Sequence, residues 1–147
     1  MIKFSLICVG KLKEEYTKKA LADYCTRLSK YGKTDVVEVP ESDIEGEGEA
    51  LLKKLPDRSY VIALDLHGRM MDSESFASLL AAKTVEGHSH FAFVIGGSDG
   101  IAKAVTDRAD LQLCLSPMTF THQMTRVIIA EQIYRAMKIN AGETYHK

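Results

Sequence analysis

The sequence predicts an α/β fold: a parallel sheet covered by helices on both faces, in a single domain spanning residues 1–147. Three observations predict it. Short apolar runs alternate with helical patterns along the whole chain. Those runs are nearly continuous in apolar residues, as strands buried on both faces must be. No internal repeat, low-complexity tract or inter-domain linker interrupts the series. At 147 residues the chain is about one domain's worth. It is long enough to bury roughly two-thirds of the surface its unfolded form exposes.

Each element follows from local pattern. "IKFSLICVG" is a short apolar run closed by Gly10, a buried strand. "KEEYTKKALADYCTRLSKYG" places Tyr16, Ala20, Leu21, Tyr24 and Leu28 at helical spacing and is expected to stop at Gly32. "TDVVEVPE" is a second strand, ended by Pro40. "SDIEGEGEALLKKLPD" is acidic and then amphipathic, and reads as a flexible loop entering a short helix. "SYVIALDLHG" is a third strand. "DSESFASLLAAKTVEG" is a helix with Asp72 as N-cap and Gly87 as C-cap. "HFAFVIGG" is a fourth strand, "SDGIAKAVTDRA" a short helical turn and "DLQLCLS" a fifth strand. "THQMTRVIIAEQIYRAMKINAG" is the last and longest helix, and "ETYHK" the tail. "VIIA" at 127–130 is apolar on successive positions, and Met124, Ile133, Met137 and Ile139 widen the stripe. A surface helix needs one apolar face. This one has two, which predicts one face on the sheet and another on a homodimer partner, reached through Ile128 or Ile129.

Composition narrows the function classes. Hydrophobic residues make up 46% of the chain and charged residues 27%, with a net charge of −1. No global positive field draws in nucleic acid, so any such contact needs a local patch or a large pre-shaped partner. Cys8, Cys25 and Cys114 show no C-x-x-C spacing and read as structural thiols in a reducing cytoplasm. The first apolar run is too short for a signal peptide, and no stretch reaches the length of a membrane span.

Ligands of open parallel sheets bind at the carboxyl ends of the strands. Three such ends are rich here: "LDLHG", "IGGSDG" and "LSPMTFTH". "IGGSDG" matches neither G-x-G-x-x-G nor G-x-x-x-x-G-K-[ST], so it is a poor phosphate loop. Its paired glycines make a tight turn or permit close backbone approach to a ligand. A ligand held by backbone amides and apolar walls suits these loops better than a polyphosphate. No Ser-His-Asp arrangement or nucleophile elbow appears, and no cluster of metal ligands. His122 and Arg126 lie four apart on one helical face; the plain alternative is a helix-end histidine and a solvated arginine. Tyr145, His146 and Lys147 end the chain, where the plain alternative is a frayed terminus.

"VGKLKEEY", "VEVPE", "LDLHG", "FVIGGSDG", "LSPMTFTHQMTRVIIAEQIYRAMKI" and the terminal "YHK", in that order along nearly the whole chain, closely resemble the RlmH family. These are small SPOUT-class methyltransferases that modify pseudouridine in large-subunit ribosomal RNA. The resemblance implies the SPOUT methyltransferase fold with a C-terminal trefoil knot, an architecture otherwise almost excluded. It implies S-adenosylmethionine as cofactor, in a pocket formed by Leu64, Gly96 and the run Leu115, Ser116, Pro117, Met118, Thr119 and Phe120. It implies that His122, Arg126, Tyr145 and His146 face the target base, partly across the interface of a homodimer. The reaction implied is methylation of N3 of a pseudouridine in 23S ribosomal RNA, within the large subunit or the assembled ribosome. Neither a metal nor a membrane is implied, and the location is cytoplasmic. Two departures stand out. Thr121 replaces the Pro that family members carry before the motif His, and either loosens the turn or supplies a helix N-cap. The acidic segment "ESDIEGEGEALLKKL" is short.

The N3–H of pseudouridine is a weak acid, so the protein must align donor and acceptor and help remove a proton. Alignment alone can contribute roughly 7–11 kcal/mol. His122 and His146 are candidate bases. Glu131 is a third, although its spacing also suits an ion pair with Arg135. Arg126 is a candidate for stabilising the developing imide anion. Two rival readings are a SPOUT methyltransferase acting on another RNA, such as tRNA, and a non-catalytic dimeric module that binds a nucleoside.

Overall fold

The computed structural model describes residues 1–144. Five strands form one parallel sheet: β1 (Ile2–Val9), β2 (Gly32–Val39), β3 (Tyr60–Met70), β4 (His90–Ile95) and β5 (Leu111–Cys114). Their order is β2-β1-β4-β3-β5, so β4 is inserted between β1 and β3. The helices are α1 (Glu15–Leu28), α2 (Ile44–Lys53), α3 (Ser73–Val85), α4 (Lys103–Arg108) and α5 (His122–Asn140). The period-2 alternation of each strand divides its apolar residues between two cores. Phe4, Leu6, Phe91, Phe93 and Ile62 meet α1, α3 and α5 on one face. Ile7, Val9, Val61, Ala63, Ala92 and Val94 meet α2 and α4 on the other. The expectation of a parallel sheet covered on both faces is met.

Several local expectations are also met. The Asp72 carboxylate accepts from the Ser75 amide at 2.7 Å and caps α3. Gly87, at φ 107°, closes the same helix one residue past its C-cap Glu86. Thr121 caps α5, its hydroxyl accepting from the Met124 amide at 3.1 Å. Of the two readings offered for Thr121, the N-cap is the one the fold adopts.

Four expectations need correction. Gly32 opens β2 rather than ending α1, and a Cβ there would lie 2.1 Å from the Ile2 carbonyl oxygen. Tyr16 is 65% exposed, while its neighbour Thr17 is buried, donating its hydroxyl to Glu14 O. The acidic segment holds the expected short helix but not the flexible loop before it: α2 begins at Ile44, one residue after Asp43, whose carboxylate accepts from the Gly46 amide. Gly48 sits in that helix because α2 presses on the residue before α4, where a Cβ would come within 2.6 Å of Ala102. Propensity disfavours a mid-helix glycine by about 1 kcal/mol, and tertiary packing overrides it. Finally, the second apolar face of α5 does not by itself require a partner. The helix lies between α1 and α3 as well as on the sheet, and Ile129 is fully buried within the single chain. Ile128 is half-buried.

Candidate active site

The carboxyl ends of β3, β4 and β5 open around one cavity of about 750 Å³. Its walls are residues 64–67, 95–101, 113–116 and 118–122, with Thr125. That volume is in the range of small-molecule sites. Three loops build it, each by a different local device.

The end of β3 leaves the regular ladder. Leu64 pairs with Leu113 and Arg69 pairs with Leu113 again, so residues 65–68 bulge out over the cavity. The Asp65 carboxylate accepts from the His67 amide at 3.2 Å and shapes the bulge. Gly68 is required where the chain rejoins β5, because a Cβ would lie 2.6 Å from the Gln112 carbonyl carbon.

The loop after β4 is a tight turn. The Gly100 amide donates to Gly97 O at 3.1 Å, and Gly100 holds φ 96°. A Cβ on Gly96 would meet Gly100 O at 2.4 Å. The close approach that the paired glycines permit is therefore made first within the loop itself. Beneath Gly97 lies Glu47 of α2, buried, accepting from the Ser42 amide at 3.0 Å. Sequence reasoning missed Glu47, because "EGEGE" offers three equivalent carboxylates and only the fold selects one.

The loop from β5 to α5 is held by its own side chains. Cys114 donates its thiol to Ser116 O at 3.2 Å, and Ser116 Oγ accepts from the Met118 amide at 3.0 Å. Thr125 donates its hydroxyl to Thr121 O at 2.9 Å, reinforcing the cap. Met118, 76% exposed, and Phe120 form an apolar rim with Leu66.

Of the residues assigned to a cofactor pocket, Leu64, Gly96, Leu115, Ser116, Met118, Thr119 and Phe120 all line this cavity. Pro117 does not, and it is exposed. His122 lines the cavity, and its Nε2 is buried with no hydrogen-bond partner among the described residues. A buried ring nitrogen without a partner is costly unless something satisfies it. A second cavity of about 530 Å³ adjoins the first between α3 and α5 and shares Leu113, Cys114, Leu115 and Phe120 with it.

Arg126 is placed elsewhere, and the expectation that it faces a substrate is corrected. It is 0% exposed. Its Nη1 donates to Glu38 Oε2 at 2.6 Å, and its Nη2 donates to Val9 O at 3.1 Å and Gly10 O at 2.6 Å. The guanidinium thus ties α5 to the carboxyl ends of β1 and β2, one helical turn from His122. It is not the solvated arginine of the plain alternative either. Glu131 forms the ion pair with Arg135, at 2.7 Å, that its spacing suggested. Tyr145 and His146 lie outside the described residues. The residue that anchors what precedes them, Glu143, accepts from Lys30 at 2.8 Å, from Lys138 at 3.2 Å and from the Tyr31 hydroxyl. Hydrogen bonds from Lys30, Tyr31 and Lys138 hold its carboxyl down to about 2. A folded-state value below the unfolded one stabilises the native state at neutral pH, and the contribution disappears as pH falls through that value.

Substitution of Gly96 by Val tests the β4 loop. The added side chain meets the Gly100 backbone, which cannot yield as a flexible side chain would. We expect the turn to open and ligand affinity at the cavity to fall at least tenfold, with a lowered melting temperature. A folded Gly96→Val protein with wild-type affinity for its ligand, by calorimetry, would remove this loop from the site.

Comparison with known proteins follows the same lines. The family described as "Predicted SPOUT methyltransferase" matches residues 2–146. The chain is 44% identical over 159 residues to "Ribosomal RNA large subunit methyltransferase H" of Alkaliphilus oremlandii (strain OhILAs), covering 99% of this chain and 100% of that protein. It is 47% identical over 159 residues to the protein of the same name from Clostridium novyi (strain NT), with the same coverage. Among solved structures, a probable methylase family protein from Haemophilus influenzae Rd KW20 superposes with a TM-score of 0.58 at 16% identity. It covers 99% of this chain and 70% of that one. At that identity the likeness concerns the fold alone.

Proposed function

This chain belongs to the SPOUT methyltransferase family, within it to the RlmH group, and from that premise we propose that it methylates N3 of a pseudouridine in 23S ribosomal RNA. The cofactor proposed is S-adenosylmethionine, held in the cavity at the carboxyl ends of β3, β4 and β5. The observation that carries the reading is that cavity: three backbone-rich loops, apolar walls and one buried histidine nitrogen without a partner. Those residues fit the cofactor. The β4 turn and the Leu115–Phe120 run offer backbone groups to a purine and a ribose, and Leu64, Ile95 and Leu115 offer apolar surface. When bound, S-adenosylmethionine supplies an electrophilic methyl carbon. The chain's own part is to position the acceptor, exclude water and take a proton. His122 is the residue proposed to accept that proton, since it lines the cavity and its buried Nε2 has no hydrogen-bond partner among the described residues. On family grounds, the segment from β3 to α5 is proposed to thread the trefoil knot.

The proposal includes a homodimer that completes each site. Glu143 is pinned to Lys30 and Tyr31, at the amino-end side of the sheet. The cavity opens at the other end of α5, whose 19 residues span about 28 Å. Three residues beyond Thr144 reach at most about 10 Å. Tyr145 and His146 can therefore serve a cavity only if it belongs to a partner copy. Among the described residues no helix is long and apolar enough to cross a membrane, and we place the reaction in the cytoplasm.

The test has two parts. Calorimetry should show binding of S-adenosylmethionine and none of ATP or NAD. Mass spectrometry of ribosomal RNA from a strain lacking the gene should reveal an unmethylated pseudouridine that the wild-type strain methylates. An unchanged methylation pattern in 23S RNA would sink the substrate assignment, and donor-independent nucleotide binding would sink the activity.

A further inference from the structure

The loop between β1 and α1 is held more firmly than a connection of its length requires. Gly10 donates its amide to Val39 O at 2.8 Å. Val9 O and Gly10 O both accept from Arg126. The Leu12 amide donates to Glu38 Oε2 at 3.1 Å, and the Lys13 amide donates to Gln123 Oε1 at 3.1 Å. The Leu12 side chain packs against the core shared with α1, α3 and α5. Leu12 is thus anchored, and the residues on either side of it, Lys11 and Lys13, are exposed and pair with no carboxylate among the described residues. A rigid backbone that presents two unpaired cations is preorganised to meet negative charge.

The location says which charge. Gln123, which holds Lys13, is the residue after His122 in the first turn of α5, and His122 lines the cavity. On the far flank of the same cavity Arg69 is exposed on β3, in register with cavity-lining Leu113. The chain carries a net charge of −1 and the cavity wall itself carries Asp65 and Asp99, so Lys11, Lys13 and Arg69 are cations beside the cavity and not a property of the whole surface.

We infer that Lys11 and Lys13 grip the phosphodiester backbone of the RNA beside the nucleotide presented to the cavity. The inference rests on the functional reading above and deepens it by naming where the substrate's backbone lies. Lysine meets phosphate as a point charge without reading sequence. The loop accordingly sets position and affinity, while the cavity sets chemistry.

The experiment uses full-length protein and large ribosomal subunits and assembled ribosomes from a strain lacking the gene, with radiolabelled S-adenosylmethionine. Three proteins are compared with wild type: Lys11→Gln/Lys13→Gln, Lys11→Arg/Lys13→Arg, and Lys53→Gln/Lys54→Gln. The last removes the same charge from the exposed end of α2, away from the cavity. For the first variant we expect unchanged donor affinity by calorimetry and a KM for the ribosomal particle raised about tenfold at moderate salt. Its dependence of log(kcat/KM) on log salt should be shallower by about 2, one unit per lost phosphate contact. The arginine pair should restore both quantities, and the α2 control should match wild type. A wild-type KM and salt slope in the first variant, or equal effects in the α2 control, overturns the inference while leaving the enzyme assignment in place. A wild-type protein that binds the donor and methylates no ribosomal particle overturns the functional reading and this inference with it.

Discussion

Replacing Arg126 by alanine is expected to lower the unfolding free energy by about 3–4 kcal/mol. The side chain is wholly buried, so its removal leaves a cavity. It also strips partners from Val9 O and Gly10 O. Glu38 loses its ion pair, but its side chain is 34% exposed and water can reclaim the carboxylate, which keeps the cost below that of a fully buried charge. For a chain of this length the loss corresponds to roughly 10 °C in melting temperature. Glu38→Gln keeps an acceptor for Arg126 and for the Leu12 amide but leaves the wholly buried guanidinium without a counter-charge, and should cost about 3 kcal/mol. Methylation should fall with stability in the alanine variant, because the first turn of α5 carries His122. A stability change within about 0.5 kcal/mol would mean that the clamp is dispensable. A variant with wild-type stability and donor affinity but no methyl transfer would return Arg126 to a direct chemical role.

Deleting Tyr145, His146 and Lys147 should leave donor affinity nearly unchanged and reduce methyl transfer at least tenfold. The donor cavity is built from loops at the N-terminal end of α5, while the deleted residues follow its C-terminal end. An aromatic ring on an unstacked base is worth about 1–3 kcal/mol, so substrate binding should weaken along with chemistry. Mixing the truncated protein with a His122→Ala protein, under conditions of subunit exchange, should restore activity. Half of the mixed dimers would be heterodimers, each with one complete site, giving about a quarter of the wild-type rate. Wild-type turnover by the truncated protein alone would reduce the tail to a passive end, and no recovery on mixing would argue against sites completed across a dimer.

His122 and the glycine turn were legible because each is a local signal. A histidine one residue past a strand-to-helix turn and a paired glycine after an apolar run can be placed by spacing. Glu38 and Gln123 were not legible as partners, since a carboxylate at a strand end and an amide in a first helical turn have no local marker. Glu38 is linked to Arg126 of α5, 88 residues away, and Gln123 to Lys13, 110 residues away.

By itself the sequence determined the order of elements, the parallel sheet covered on both faces and the cap at Asp72, and it left Thr121 with two readings. Hydrophobic period and capping chemistry act within a few residues and need no knowledge of neighbours. Only the tertiary structure decided that Arg126 is an internal clamp, that Gly96 faces its own loop, and that α5 spends much of its apolar surface on α1 and α3. Each depends on which strands lie side by side. The insertion of β4 between β1 and β3 brings the ends of distant strands to one edge, and long-range packing, which no local period encodes, then sets the burial of every side chain there.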